Sequence, residues 1–133
     1  MQGFLEKEVK EVMNSRIWDL PVVEENASIK VVLVVLIGRC YTWVVKNKEM
    51  EIAGIITEHD ALKLLNGYNE EMKAKDIMSS NLTVAYPDEK IKDAIEKMIK
   101  KGYRRMPVVE NNKLVGEITL RHLIEKLYSI FFQ

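Results

Sequence analysis

The sequence predicts an α+β fold made of two pseudo-symmetric strand–helix–hairpin–helix repeats whose sheets pack face to face. Three observations point there. The chain repeats itself, with a spacing of about 62 to 65 residues. The second copy carries one apolar helical face, formed by Ile91, Ala94, Ile95, Met98 and Ile99 at i, i+3, i+4, i+7 and i+8. Two short apolar runs flank Asn111-Asn112, a pair suited to a tight hairpin turn.

The repeat is legible element by element. Val9-Lys10-Glu11-Val12-Met13 returns as Ala74-Lys75-Asp76-Ile77-Met78, and Ile29-Lys30 returns as Ile91-Lys92. Gly38 returns as Gly102, Val44-Val45 as Val108-Val109, and Gly54-Ile55-Ile56-Thr57 as Gly116-Glu117-Ile118-Thr119. The copies are placed at residues 1–68 and 69–133, together forming one module. Neither closes a core alone at roughly 60 residues, so the two are expected to pack together.

In the second copy, residues 82–85 read as a strand and Asp88 as the N-cap of the following helix. Gly102 is placed to end that helix. Met106-Pro107-Val108-Val109 and residues 114–118 read as the hairpin, and Thr119 caps a last helix whose apolar face is Leu120, Leu123, Ile124 and Leu127. The first copy gives the same order. Its stretch 31–37 reads as a buried strand by its β-branched composition and as a helix by its register with the second copy. The register decides for a helix, and a helix apolar all round is expected to be buried on most sides. Helices at about 5–13 and 70–78 are expected to head the copies.

Composition excludes several classes. The chain has 20 Lys+Arg against 20 Asp+Glu, which argues against a dedicated nucleic-acid binder. Cys40 is the sole cysteine, so no disulfide forms within the chain, as suits a reducing compartment. The longest apolar run, 31–37, is far short of the ~20 residues of a membrane span. With no signal-like start, these features predict a cytoplasmic protein without a membrane partner. His59, His122 and Cys40 lack metal-ligand spacing, and no nucleophile–base pair, P-loop or dinucleotide glycine pattern is present. A non-enzymatic chain is the expectation. The apolar tail Leu127, Tyr128, Ile130, Phe131 and Phe132 adds an expected homodimer.

The element order, Gly54-Ile55-Ile56-Thr57-Glu58-His59-Asp60, Arg104-Arg105-Met106-Pro107-Val108-Val109 and Ala74-Lys75-Asp76-Ile77-Met78 together resemble the tandem cystathionine-β-synthase (CBS) domain pair, or Bateman module. The resemblance spans essentially the whole chain. It implies two clefts between the repeats for adenosine-containing ligands such as AMP, ADP, ATP or S-adenosylmethionine, and a flat dimer. It assigns ribose hydroxyls to Asp60 and the phosphate or ribose to Thr57, with Ile55 and Ile56 holding the strand. Thr83, Val84 and Tyr86 align with the adenine-lining segment, as does Val22 in the first copy.

Each assignment has a plainer alternative. Thr57-x-x-Asp60 is also a helix capping box. His122 stands where Asp60 has its counterpart, and imidazole accepts one hydrogen bond where a carboxylate accepts several, which puts ribose recognition beside Thr119 in doubt. Arg104, Arg105 and Arg121 form the best anion constellation, since guanidinium forks match phosphate oxygens; the alternative is a solvated basic face. The expected function is a regulatory sensor of an adenine nucleotide acting on a partner protein of unknown identity. The rival is a ligand-free structural dimerisation module.

Overall fold

The computed structural model describes residues 1–132; Gln133, the last residue of the predicted second copy, lies outside them. The elements in order are α1 (Gln2–Leu5), β1 (Val22–Glu24), α2 (Ile29–Arg39), β2 (Tyr41–Val45), β3 (Ile52–Thr57), α3 (Glu58–Ala61), α4 (Ala74–Ile77), α5 (Ile91–Lys101), β4 (Arg105–Glu110), β5 (Lys113–Thr119) and α6 (Leu120–Phe132). Single 3-10 turns cover Val9–Glu11, Ile17–Asp19 and Leu62–Asn66. One sheet has the order β1-β2-β3, with β1 parallel and β3 antiparallel to β2; the other is the hairpin β4-β5. Helices and strands occur in both halves, an α+β fold.

The chain forms two compact units, and neither coincides with one stretch of sequence. The first contains Met1–Ile17, Thr83–Asn111 and the chain from Val115 onward; the second contains Trp18–Leu82 and Asn112–Leu114. The head of the first copy, Val9–Glu11 and its flanks, is thus built into the unit of the second hairpin. The head of the second copy, α4, is built into the unit of the first.

The cores show why. In the first unit Val9 and Val12 pack with Ile91, Ala94, Met98, Met106, Val108, Ile118 and Leu123. In the second, Ala74 and Ile77 pack with Val23, Ile29, Val32, Leu36, Val44 and Ile56. Burial of each such Val, Leu or Ile contributes about 1.5–3 kcal/mol. Backbone bonds pin the heads. Asn14 and Glu117 exchange N–H···O bonds of 2.9 and 3.1 Å; Ser79 and Ile55 exchange bonds of 2.8 and 2.9 Å. Each head lies against a glycine. A Cβ on Gly54 would fall 2.6 Å from the Ser79 carbonyl oxygen, and one on Gly116 would fall 2.7 Å from that of Asn14.

Residues 31–37 lie within helix α2, as the repeat register predicts. The Ser28 hydroxyl accepts from the Val31 N–H at 3.3 Å and starts the helix, against the β-branched composition. Its burial differs from expectation. Ile29, Val32 and Leu36 are buried, whereas Val34 is 62% and Ile37 85% exposed. One face meets the sheet, and the opposite face stays apolar without cover in its unit. Helix α5 has the same frame, with Ile91, Ala94 and Met98 inward, but Ile99, expected on that face, is exposed.

Other boundaries also move. The cap position of α5 is Lys90, not Asp88, because Pro87 and Asp88 lie in a turn closed by the Glu89 N–H to the Tyr86 carbonyl at 3.1 Å, and Lys90 is the extended residue before the helix. Gly102 ends the helix at φ 69°, and Asn111 and Asn112 turn the hairpin at φ 52° and 66°. Residues 82–85 make one parallel bridge, Ala85 to Val108, and no full strand. The heads are single turns at Val9–Glu11 and Ala74–Ile77, shorter than the predicted helices, since their backbone groups bond outward to the unit. Of the predicted apolar face of α6, Leu123 is buried, while Leu120 and Ile124 are exposed.

Candidate functional site

Strand β3 delivers Ile55, Ile56 and Thr57 to the start of α3. Ile56 is fully buried and fixes the strand, and Ile55 is half-buried and bonded to Ser79. Thr57 is the N-cap of α3, with extended backbone. One turn later Asp60 points back to it and is itself buried, at 6% exposure.

The Asp60 carboxylate is saturated by its own unit. Oδ2 accepts from the Thr57 N–H at 2.9 Å and from the Thr57 hydroxyl at 3.2 Å. Oδ1 accepts from the Ser79 hydroxyl at 2.8 Å and pairs with Lys63 Nζ at 3.3 Å. Burial pushes the carboxyl up, but the Thr57 N–H, the Ser79 hydroxyl and the Lys63 ammonium outweigh it, and Asp60 is held below its ordinary value. It is a buried, ionised acceptor at a helix start.

Sequence reasoning reached Thr57 and Asp60 but missed Ser79 and Lys63. Both left a signal. Lys63 lies three residues after Asp60, a helical ion-pair spacing. Ser79 directly follows the repeated head, where the first copy has Asn14.

Val22 lies in β1, paired with Trp43. It borders an open hollow of about 380 Å³ shared with Val23, Glu24, Asn26, Ala27 and Val31. This hollow belongs to the same unit as Thr57 and Asp60.

The first unit holds the remaining predicted residues: Thr83, Val84, Tyr86, Arg104, Arg105, Thr119, Arg121 and His122. The Thr119 hydroxyl accepts from the His122 N–H at 3.1 Å; the other copy has the full capping box, in which the Thr57 side chain accepts from the Asp60 N–H and the Asp60 carboxylate accepts from the Thr57 N–H. Arg104 and Arg121 are brought to one end of the unit, because the Arg104 carbonyl accepts from the Leu120 N–H at 2.9 Å. The Arg121 side chain is 93% exposed and meets Glu125 only at 3.8 Å. Arg105 starts β4 and is half-buried. Thr83 and Val84 are half-buried, and Tyr86 is 51% exposed.

One feature of this unit escaped the sequence reading. Lys97 donates to the Val84 carbonyl at 2.7 Å, pairs with Glu89 at 2.8 Å and sits 5.7 Å from the Tyr86 ring centre. It locks the segment before α5. Its counterpart in α2 is Val35, which has no donor to offer.

Among the described residues no group of three or more His, Cys, Asp or Glu could hold a metal ion, and no helix is long and apolar enough to cross a membrane.

Comparison with known proteins gives the fold a context. The chain is 37% identical over 84 residues to the uncharacterized protein MJ1225 of Methanocaldococcus jannaschii, a match over 62% of this chain and 30% of that protein's length. The crystal structure of CBSX2 in complex with AMP superposes with a TM-score of 0.81 at 23% identity, covering 92% of this chain and 97% of that one. CBSX2 is from Arabidopsis thaliana. The CBS domain pair of protein MJ0100, in complex with 5′-methylthioadenosine and S-adenosyl-L-methionine, gives a TM-score of 0.72 at 25% identity, covering 92% of this chain and 96% of that one. The CBS domain family itself matches residues 9–67 and again residues 74–129, two repeats, and the chain therefore belongs to that family.

Proposed function

We propose that the chain is a regulatory module that binds an adenosine-containing ligand, such as AMP, ADP, ATP or S-adenosylmethionine, and passes the bound state to a partner protein. The observation that carries this reading is the buried, ionised Asp60 at the start of α3. Its partners include two hydroxyls, from Thr57 and Ser79, and hydroxyls are the donors a ribose diol offers. Membership of the CBS family supports the reading. So do the adenosine compounds held by CBSX2 and MJ0100.

The two copies bind unequally. The first has a carboxylate for ribose; the second has His122 there and a neighbouring pair of arginines, Arg104 and Arg121, suited to phosphate. Arg105 and Thr119 assist at that end. Thr83, Val84 and Tyr86 in one copy and Val22 in the other border the base. The role is regulatory and not catalytic, and the module works in the cytoplasm as a homodimer through its exposed apolar helix faces.

A second reading rests on a specific observation. Asp60 already has four donors within its own unit, and α2 presents an uncovered apolar face. Those features suit a ligand-free dimerisation module. A thermal-shift panel of adenine nucleotides and S-adenosylmethionine separates the two. A ligand at about 100 times its Kd stabilises by ~2.7 kcal/mol; a flat panel favours the dimerisation module.

A further inference from the structure

The Asp60 network also joins two segments distant in sequence. Lys63 Nζ pairs with Asp60 Oδ1 at 3.3 Å and donates to the Ile77 carbonyl at 3.0 Å. The Ser79 hydroxyl donates to the same Oδ1 at 2.8 Å. Asp60 lies in α3 and Lys63 in the 3-10 turn that follows it; Ile77 ends α4, and Ser79 follows two residues later in the head. Side chains therefore clasp the head to α3, beside the backbone pair between Ser79 and Ile55.

A carboxylate has about four lone-pair positions, and here four donors fill them. A ribose diol needs two. The Thr57 N–H is fixed by the backbone of the helix cap, and its hydroxyl shares the same oxygen. Oδ1 holds the replaceable donors: a side-chain hydroxyl on a single rotor and a half-exposed lysine.

We infer that Ser79 and Lys63 form an internal competitor for the ligand at Asp60, so that a ribose seated on Oδ1 releases the α4 head from α3. The inference rests on the ribose reading of Asp60 and adds how binding there is regulated and transmitted. The exchange is of hydrogen bonds only. The Ser79 hydroxyl yields to a ribose hydroxyl, and Lys63 turns to solvent or to a ligand phosphate. The Ser79–Ile55 backbone pair stays in place as the pivot.

The second copy is the internal control. The same backbone pair exists between Asn14 and Glu117, but His122 stands in place of Asp60 and Asn14 in place of Ser79. Position 122 offers an imidazole and not a carboxylate, so the second copy has no counterpart of the Asp60 carboxylate at that point.

The test uses the full chain, AMP and 2′,3′-dideoxy-AMP, with Ser79→Ala, the hydroxyl-retaining Ser79→Thr, and amide exchange. Removing a competing charge-assisted bond is expected to tighten AMP by about tenfold or more in Ser79→Ala. Dideoxy-AMP affinity is expected to stay unchanged, and Ser79→Thr to match the parent. In the parent, AMP is expected to speed amide exchange at residues 74–78 relative to 91–101, and ligand-free Ser79→Ala to show the same faster exchange. AMP that binds the parent, with Ser79→Ala unchanged or weaker and no change in exchange at 74–78, overturns the clasp and leaves the ribose reading standing. Absence of AMP binding in every variant overturns both.

Discussion

Gly54→Ala tests the packing of the α4 head most sharply. The new methyl group would lie 2.6 Å from the Ser79 carbonyl oxygen, 2.9 Å from Met78 Sδ and 3.1 Å from Met78 Cγ. The methionine can swing aside, but the carbonyl belongs to a backbone held by two bonds to Ile55, at 2.8 and 2.9 Å. Relief of the overlap moves the head off β3, losing those bonds at about 0.5–1.5 kcal/mol each. Overpacking alone costs about 1–3 kcal/mol. The expected loss is about 2–4 kcal/mol, or roughly 10 °C in Tm for a chain of this size. Urea unfolding followed by circular dichroism measures it. Gly38→Ala is the control, because Gly38 lies within α2 with nothing within 4 Å of its would-be Cβ. That change is expected to stabilise by about 0.5–1 kcal/mol through helix propensity. A Gly54→Ala protein within about 0.5 kcal/mol of the parent would refute the head packing described for this unit.

The remaining expectations follow from the sites. Because the Asp60 carboxyl is held below its ordinary value in the folded state, its contribution to stability is full above the unfolded carboxyl value of about 3.9 and is lost as pH falls through the lower folded value. Acid unfolding of Asp60→Asn is therefore expected to show a shallower fall below about pH 4 than the parent. Arg104→Ala is expected to weaken AMP by about tenfold or more while leaving adenosine nearly unchanged, as titration calorimetry reads; a charge-assisted bond contributes about 1.5–3 kcal/mol. Ile37→Glu, at a position 85% exposed on α2, is expected to leave the fold intact and convert a dimer to a monomer by light scattering. A dimer that persists in this variant places the interface elsewhere.

The repeat was the most legible feature, because each copy must carry its own glycine, its own helix frame and its own hairpin. Gly54 and Gly116 illustrate this, since both lie under the carbonyl of a head residue and neither tolerates a side chain. The register of α5 settled the class of α2 where the composition of 31–37 pointed to a strand, because packing against the sheet overrides weak propensity. What the sequence did not convey was which partner each head chooses. Val9 and Ala74 are apolar in either arrangement, and periodicity does not say which sheet they cover. The exposure of Val34 and Ile37 was illegible for the same reason: an apolar residue on an outer face looks like a core residue in one dimension. At the site, Thr57 and Asp60 could be found from local spacing. The repeat marks the position of Ser79 but does not pair it with Asp60, because it lies 19 residues away and meets the carboxylate through the folded head.

The central claim is that Asp60 is a ligand-binding carboxylate, and calorimetric titration of AMP into the parent and Asp60→Asn tests it most directly. Asp60 is a buried acceptor of four donors, so the variant is expected to lose about 1.5–3 kcal/mol of stability and must be titrated well below its own Tm. Binding by the parent, with affinity lower by about tenfold or more in Asp60→Asn, is the predicted result. Equal affinity in the two folded proteins, or no binding of AMP to the parent, would contradict it.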